Sequence, residues 1–315
     1  MSGQDMDESP LDEGLLEPNP ISSIERRLVD AAADIGEIEA ETPHYLHALL
    51  CQVGLPRSKP QGRVFERISG KAGLRLEAGY QFLGREKGFK ELPLPYGSRP
   101  RLVLYHLCSE AIRTKSKVID IGDSLADFLG RLGVHTSGIE YTRFKNQMTA
   151  LCGVRMVLGY NDGLRSIVVN TAPVYKFEAW THYDGRQLGF WPGYLELSTE
   201  FYETLREHAV PLDPRAIHAL QHSALALDVY AWLAHRLRRI RKPGFTKVSW
   251  RNLKEQFGQE YRTSKDFKKE FRSALHKVYA VYPDARIEEV IGGLVLYASP
   301  PPIQESKSLV SISKP

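Results

Sequence analysis

Apolar positions recur at helical spacing in several separated stretches of the chain, and the clearest two-faced one runs from Thr263 to Tyr282. Phe267, Phe271, Ala274, Leu275 and Val278 share an arc about 100° wide when each residue turns about 100°. The opposite arc collects Lys265, Lys268, Lys269, Arg272 and His276, with Arg262 just before the helix. Ser264 or Thr263 can cap it, Asp266 suits the positive first turn, and Pro283 stops it. A basic outer face serves a solvated helix as well as a phosphate-binding one, so its surroundings must decide.

Earlier patterns supply those surroundings. Ser22 or Ser23 can cap a helix to about Glu39, whose apolar stripe from Ile24 to Ile38 needs a partner. That partner is either the domain that follows or a second copy of the chain, and both stay open. Pro43 is expected to open a short helix ending near Gly54, with His44, His47 and Cys51 on one side. Lacking a fourth ligand, these read as packing residues rather than a metal set. Arg63 to Phe82 alternates like strands, and Arg99 to Thr114 reads as a helix with a broad apolar side.

The next block is more informative. A β-rich run at Lys117–Gly122 precedes a helix from Ser124 to about Leu132, a turn at Gly133 and a second helix from Ser137 to about Cys152. Ser137 and Glu140 have capping-box spacing, and the following strands join across Asn161, Asp162 and Gly163 in a hairpin turn signal. Strands are expected over 173–197, where Trp180, Phe190, Trp191 and Tyr194 add aromatic bulk. Helices follow at Ser198–His208 and Asp213–Ile240. The second ends in HRLRRIRK, which suits the helix dipole or a phosphate equally.

Comparing SLADFLGRLG (Ser124–Gly133) with SWRNLKEQFG (Ser249–Gly258) shows one construction used twice: capping Ser, apolar residues four and eight positions on, then Gly. Ser137 to Phe144 and Ser264 to Phe271 have equal spacing, and Met148 falls opposite Leu275. A β-rich run precedes each helix pair and a hairpin follows it, the later hairpin turning at Gly292 and Gly293. The expected fold is therefore α+β, with tandem winged helix-turn-helix domains. The expected division is an acidic tail over 1–42 with an amphipathic helix at 22–39, a first domain over 43–195, a second over 196–303, and a disordered tail over 304–315. The helix from Ser137 turns Thr142, Arg143, Lys145, Asn146 and Thr149 outward. Arg, Asn and Thr can read guanine, adenine and the thymine methyl, so this helix is the candidate reader and Thr263–Tyr282 the candidate backbone anchor.

Charge sharpens this picture. The chain is 315 residues long with a net charge of +4, yet residues 1–42 hold twelve acidic residues against Arg26 and Arg27. The rest holds 40 basic and 26 acidic residues, a balance of +14 that favours a polyanionic partner. Residues 1–20 read as disordered. Three scattered cysteines, Cys51, Cys108 and Cys152, suit buried reduced thiols, and the lack of a secretory signal or apolar span points to the cytoplasm, with no membrane partner. No Walker loop, GxGxxG, GxSxG or paired CxxC occurs, and the HxxxH at His218 and His222 has Ala219 where a protease needs glutamate. No HxH pair of the kind used in DNA nicking occurs either, so no enzyme, cofactor or metal is expected.

The stretch LPYGSRPRL (Leu94–Leu102), with SEAIRTKS (Ser109–Ser116) and SLADFLGRLG, resembles the plasmid-encoded RepA family of replication initiators. The resemblance extends more weakly through QVGLPRSKP and over most of 45–300, leaving the acidic first forty residues outside. It implies binding of double-stranded DNA at repeated origin sites, help in opening the adjacent duplex, and recruitment of host initiation proteins and helicase. It also leaves a homodimer open. The alternative is a winged-helix transcriptional regulator that binds an operator and opens nothing.

Overall fold

The computed structural model describes residues 22–37, 42–134, 137–176 and 193–303. Expectations for 1–20, 304–315 and the aromatic segment holding Trp180, Phe190 and Trp191 lie outside these residues. The first half runs α1 (Ser23–Glu37), β1 (His44–His47), α2 (Ala48–Gln52), β2 (Val64–Ser69), β3 (Ala72–Glu77), β4 (Tyr80–Phe82), β5 (Phe89–Glu91) and α3 (Ser98–Thr114). Next come β6 (Val118–Asp120), α4 (Leu125–Arg131), α5 (Gly138–Gly153), β7 (Arg155–Asn161), β8 (Ser166–Thr171), β9 (Val174–Lys176) and β10 (Tyr194–Leu197). The remainder runs α6 (Thr199–His208), β11 (Ala209–Leu212), α7 (Pro214–Leu220), α8 (Ala224–Leu237), β12 (Phe245–Ser249), α9 (Trp250–Phe257), α10 (Ser264–Val281), β13 (Ile287–Val290) and β14 (Gly293–Tyr297). Helices and strands mix along the whole length.

Local chemistry explains most boundaries. Ser124, Ser137, Ser198, Ser223 and Ser249 each cap a helix by accepting the backbone N–H of the residue three positions on. At α1, Ser22 Oγ accepts from Glu25 N at 3.2 Å while the Glu25 carboxylate returns to Ser22 N at 2.9 Å, a reciprocal capping box. Thr263 rather than Ser264 caps α10, accepting from Asp266 N at 3.0 Å. The two second helices of the repeat therefore align by their buried faces and not from their caps.

Two expectations are corrected. The stretch from Pro43 is not one helix, because β1 pairs antiparallel with β11, His44 opposite Leu212 and His47 opposite Ala209. His47 Nδ1 then accepts from Leu49 N at 3.1 Å and starts α2. His44 and His47, three apart on a strand, face opposite sides, so the one-sided cluster with Cys51 does not form. The expected helix Asp213–Ile240 is also divided, because Ser223 caps a new helix after α7 closes at Gln221. His222 thus falls between helices, and the helical HxxxH spacing does not apply.

The sheets are β1-β11, β2-β3-β7-β8, β6-β10-β9, β12-β14-β13 and β4-β5. One connected core runs through both halves of the chain and includes Phe128, Phe144, Phe201, Tyr230, Trp232, Phe267 and Phe271. The apolar stripe of α1 has its partner in the same chain: Leu28, Ala31 and Ile35 join that core, and the helix lies on α7 and α10. Polar ties flank the docking, with Arg215 Nη1 donating to Asp34 O at 2.7 Å and Arg27 Nη1 lying 2.6 Å from His222 Nε2. Cys51 and Cys108 are buried free thiols whose pKa burial raises, to about 12 for Cys108. Among the described residues no helix is long and apolar enough to cross a membrane.

Candidate nucleic-acid interface

Each helix pair is built from the same apolar positions. In α4 and α9, Leu125 and Trp250 bury in the first turn, and Phe128 and Leu253 one turn on. In α5 and α10, Phe144, Gln147, Met148 and Leu151 occupy the places of Phe271, Ala274, Leu275 and Val278, all buried. Ring contacts join each pair, Phe128 to Phe144 at 6.0 Å and Phe257 to Phe271 at 5.6 Å between centroids. A hairpin follows each pair, β7 with β8 and β13 with β14.

The strands that precede the pairs behave differently. β12 joins its own hairpin through β14, whereas β6 pairs with β10. The first hairpin is instead widened by β3 and β2. The β-rich run before each pair is thus present in both copies but joins its own hairpin in the second copy alone.

On α10 the basic arc forms as expected. Arg262, Lys265, Lys269, Arg272 and His276 are exposed, and Lys268 is half-buried with Nζ 5.4 Å from the centroid of Trp250. Arg272 also lies over Trp250, at 5.2 Å, and its guanidinium grips Glu289 of β13, with Nε 3.1 Å from each carboxylate oxygen. Hydrogen bonding from Arg272 holds the Glu289 carboxyl below its ordinary pKa, so the pair stays ionised. Arg272 therefore braces the hairpin, while Lys265 and Lys269 make no ion pair with described residues.

On α5, which packs on α3 and β9, Thr142, Arg143 and Asn146 are exposed, but Lys145 and Thr149 are half-buried. Burial lowers the Lys145 pKa. Thr142 and Thr149 turn their hydroxyls back to Gly138 O and Lys145 O, and Arg143 pairs with Glu140 at 3.2 Å. The sequence-derived site residues thus fall into one group on α5 and one on α10 with Arg262 just before it, and Asn146 has the freest polar side chain of the α5 group.

The LPYGSRPRL segment, for which periodicity supplied no role beyond a helix, is a strut between α5 and the second half. Tyr96 N donates to the buried Gln147 Oε1 at 2.7 Å, and Arg99 pairs with Glu140, both on α5. Arg101, 4% exposed, grips Asp228 of α8 in a fork of 2.7 and 2.8 Å and donates to Leu55 O, Pro56 O and Gly97 O. Arg57 bridges Asp228 and Glu260, and Arg67 reaches Glu260 at 2.8 Å. Burial raises the Glu260 pKa, yet Arg57 and Arg67 outweigh it and leave the net shift downward. Burial and Arg57 hold Arg67 at about 10. Gly54 is required beside this cluster, since a Cβ there would meet the Asp228 carboxylate at 2.7 Å.

The family model for the plasmid encoded RepA protein matches residues 94–251, from the strut through the first turn of α9. The chain belongs to the plasmid-encoded RepA protein family. Membership supports a role in initiating plasmid replication. No curated protein matches the chain. Among solved structures, crystals of selenomethionine derivatives of domains 2 and 3 of RctB align at TM-score 0.47 and 12% identity, over 80% of this chain and 99% of that one. A second crystal structure of RctB domains 2–3 aligns at 0.45 and 12%, over 79% and 95%. Similarity at that level does not bear on function.

Proposed function

We propose that this RepA-family chain initiates replication by binding repeated origin sites through two winged-helix units, α4–α5–β7–β8 and α9–α10–β13–β14. The observation that carries this reading is the repeated helix pair with a following hairpin, each presenting a polar or basic second helix to solvent. The units fall within domains over 43–195 and 196–303. Arg143 and Asn146 read base edges, with Thr142, Lys145 and Thr149 beside them, while Arg262, Lys265, Lys268, Lys269, Arg272 and His276 face the phosphates. Two such helices engage major-groove faces about 10 base pairs apart. Binding energy from several copies then bends and opens an A·T-rich tract, where host initiation proteins and helicase load. This role requires no catalytic step, cofactor or membrane contact of the chain.

Footprinting of purified protein on origin DNA, with permanganate to mark unpaired thymines, tests it. Protected repeats and reactive thymines beside them are expected when host factors are present. Protection without reactive thymines would instead make the protein an operator-binding regulator, and a nicked strand would make it a nuclease.

A further inference from the structure

Between the C-terminal end of α8, the β2–β3 turn, β12 and α9 opens a cleft of about 810 Å³. That is a size at which proteins enclose small ligands. Lys71, Arg236, Arg239, Arg241 and Lys247 line it, against the single acid Glu255, which is already paired with Arg251 at 3.0 Å.

The three arginines are without anions. None of Arg236, Arg239 and Arg241 makes a side-chain hydrogen bond or ion pair among the described residues, and Arg236 Nε is buried and unpartnered. Burial lowers the pKa of Arg236 and, with help from Arg238, that of Arg239. Burial and then these same arginines hold the neighbouring His235 near 3, hence uncharged.

Capping of α8 does not account for them. Arg236 O accepts from Arg239 N at 3.1 Å, and Leu237 O accepts from Ile240 N at 3.3 Å and Ser299 N at 3.4 Å. These two carbonyls are served by backbone, and all three arginines line the cleft. Folding therefore gathers cations in a partly desolvated concavity, which costs stability unless an anion offsets it. Guanidinium forks match phosphate oxygens in pairs, and five cations on one cavity suit an anion with several charges.

We propose that this cleft is a phosphate-binding site that engages several phosphate groups at once. It is separate from the outward faces of α5 and α10 and does not depend on them. The phosphates come either from a nucleic-acid backbone or from a free polyphosphate, and the chemistry of the cleft is the same for both.

Calorimetric titration of the full chain with inorganic tripolyphosphate tests the site. Wild type should bind, Arg236→Gln/Arg239→Gln should bind at least tenfold more weakly, and Lys265→Ala/Lys269→Ala should match wild type. The glutamine variant should melt no lower than wild type, since it loses charges that have no partner in the fold. A lower melting point would contradict the unpaired state on which the proposal rests. Absence of binding by wild type, or equal binding by the glutamine variant, would overturn the proposal. Repeating the titration with saturating duplex of unrelated sequence separates the sources: loss of the tripolyphosphate signal assigns the cleft to the nucleic-acid backbone, and its retention assigns it to a free polyphosphate.

Discussion

Asp228→Ala tests the idea that the RepA strut is held by buried charge. Asp228 is 8% exposed and accepts the Arg101 fork at 2.7 and 2.8 Å, with Arg57 at 3.4 Å behind it. Removing the carboxylate leaves Arg101, 4% exposed, with carbonyl acceptors but no counter-charge, while Arg57 keeps Glu260. Breaking a buried pair from one side costs about 3–5 kcal/mol, and the carbonyl bonds to Arg101 favour the lower end. Against a total stability of about 5–15 kcal/mol, that is a large fraction. Urea unfolding followed by tryptophan fluorescence should show the midpoint falling with little change in slope. Arg101→Met/Asp228→Leu should recover much of the loss, because neither member of that pair is then left buried without the other. A loss under about 1 kcal/mol for Asp228→Ala, or a double variant as unstable as the single, would refute the reasoning.

Acid should destabilise the fold through its histidines. His47, His235 and His106 are held near 3, 3 and 4, chiefly by burial, against about 6.5 in the unfolded chain. Unfolding then takes up protons as pH drops below 6.5, so their stabilising effect is whole above that pH and lost progressively toward 4. Each group contributes up to about 1.4 kcal/mol per pH unit, about 4 for the three, between pH 5.5 and 4.5. Urea midpoints that stay flat from pH 6.5 to 4.5 would contradict this. Glu289→Gln should release Arg272 from the hairpin and tighten binding to DNA of any sequence, measured by fluorescence anisotropy, and weaker binding would show that the ion pair itself positions α10. Gly54→Ala should destabilise wild type but cost much less beside Asp228→Ala, since the Cβ would meet the Asp228 carboxylate at 2.7 Å; equal costs in both backgrounds would place the constraint elsewhere.

Elements with their own cap and a clean apolar stripe were legible in the sequence. α4, α5, α9 and α10 begin and end within a residue or two of their expected limits because Ser or Thr caps and apolar spacing act locally, and α3 does so on apolar spacing alone, behind a Gly97 N-cap with no side-chain bond. HYLHALLCQ was not legible, since its first half becomes a strand through pairing with residues about 160 positions later. For the residues proposed to face DNA, helical spacing gave the exposure of the α10 arc, but it does not show that Lys145 and Thr149 are half-covered by neighbours. Arg272 has a carboxylate partner on the next hairpin, which no single-helix pattern contains. The strut network was missed, although one signal was present: Asp228 stands within the apolar run ALALDVYAWLAH, and a buried acid requires a partner.

The most direct measurement is the salt dependence of binding to a duplex carrying one origin repeat, for wild type, Lys265→Ala/Lys269→Ala and Arg143→Ala/Asn146→Ala. Loss of two phosphate contacts on α10 should flatten the slope of log K against log salt by about 2 and weaken binding to all sequences alike. The α5 variant should keep most of its slope and lose about 1–3 kcal/mol of preference for the repeat over unrelated DNA. Unchanged slopes and unchanged preference would show that neither helix lies against the DNA.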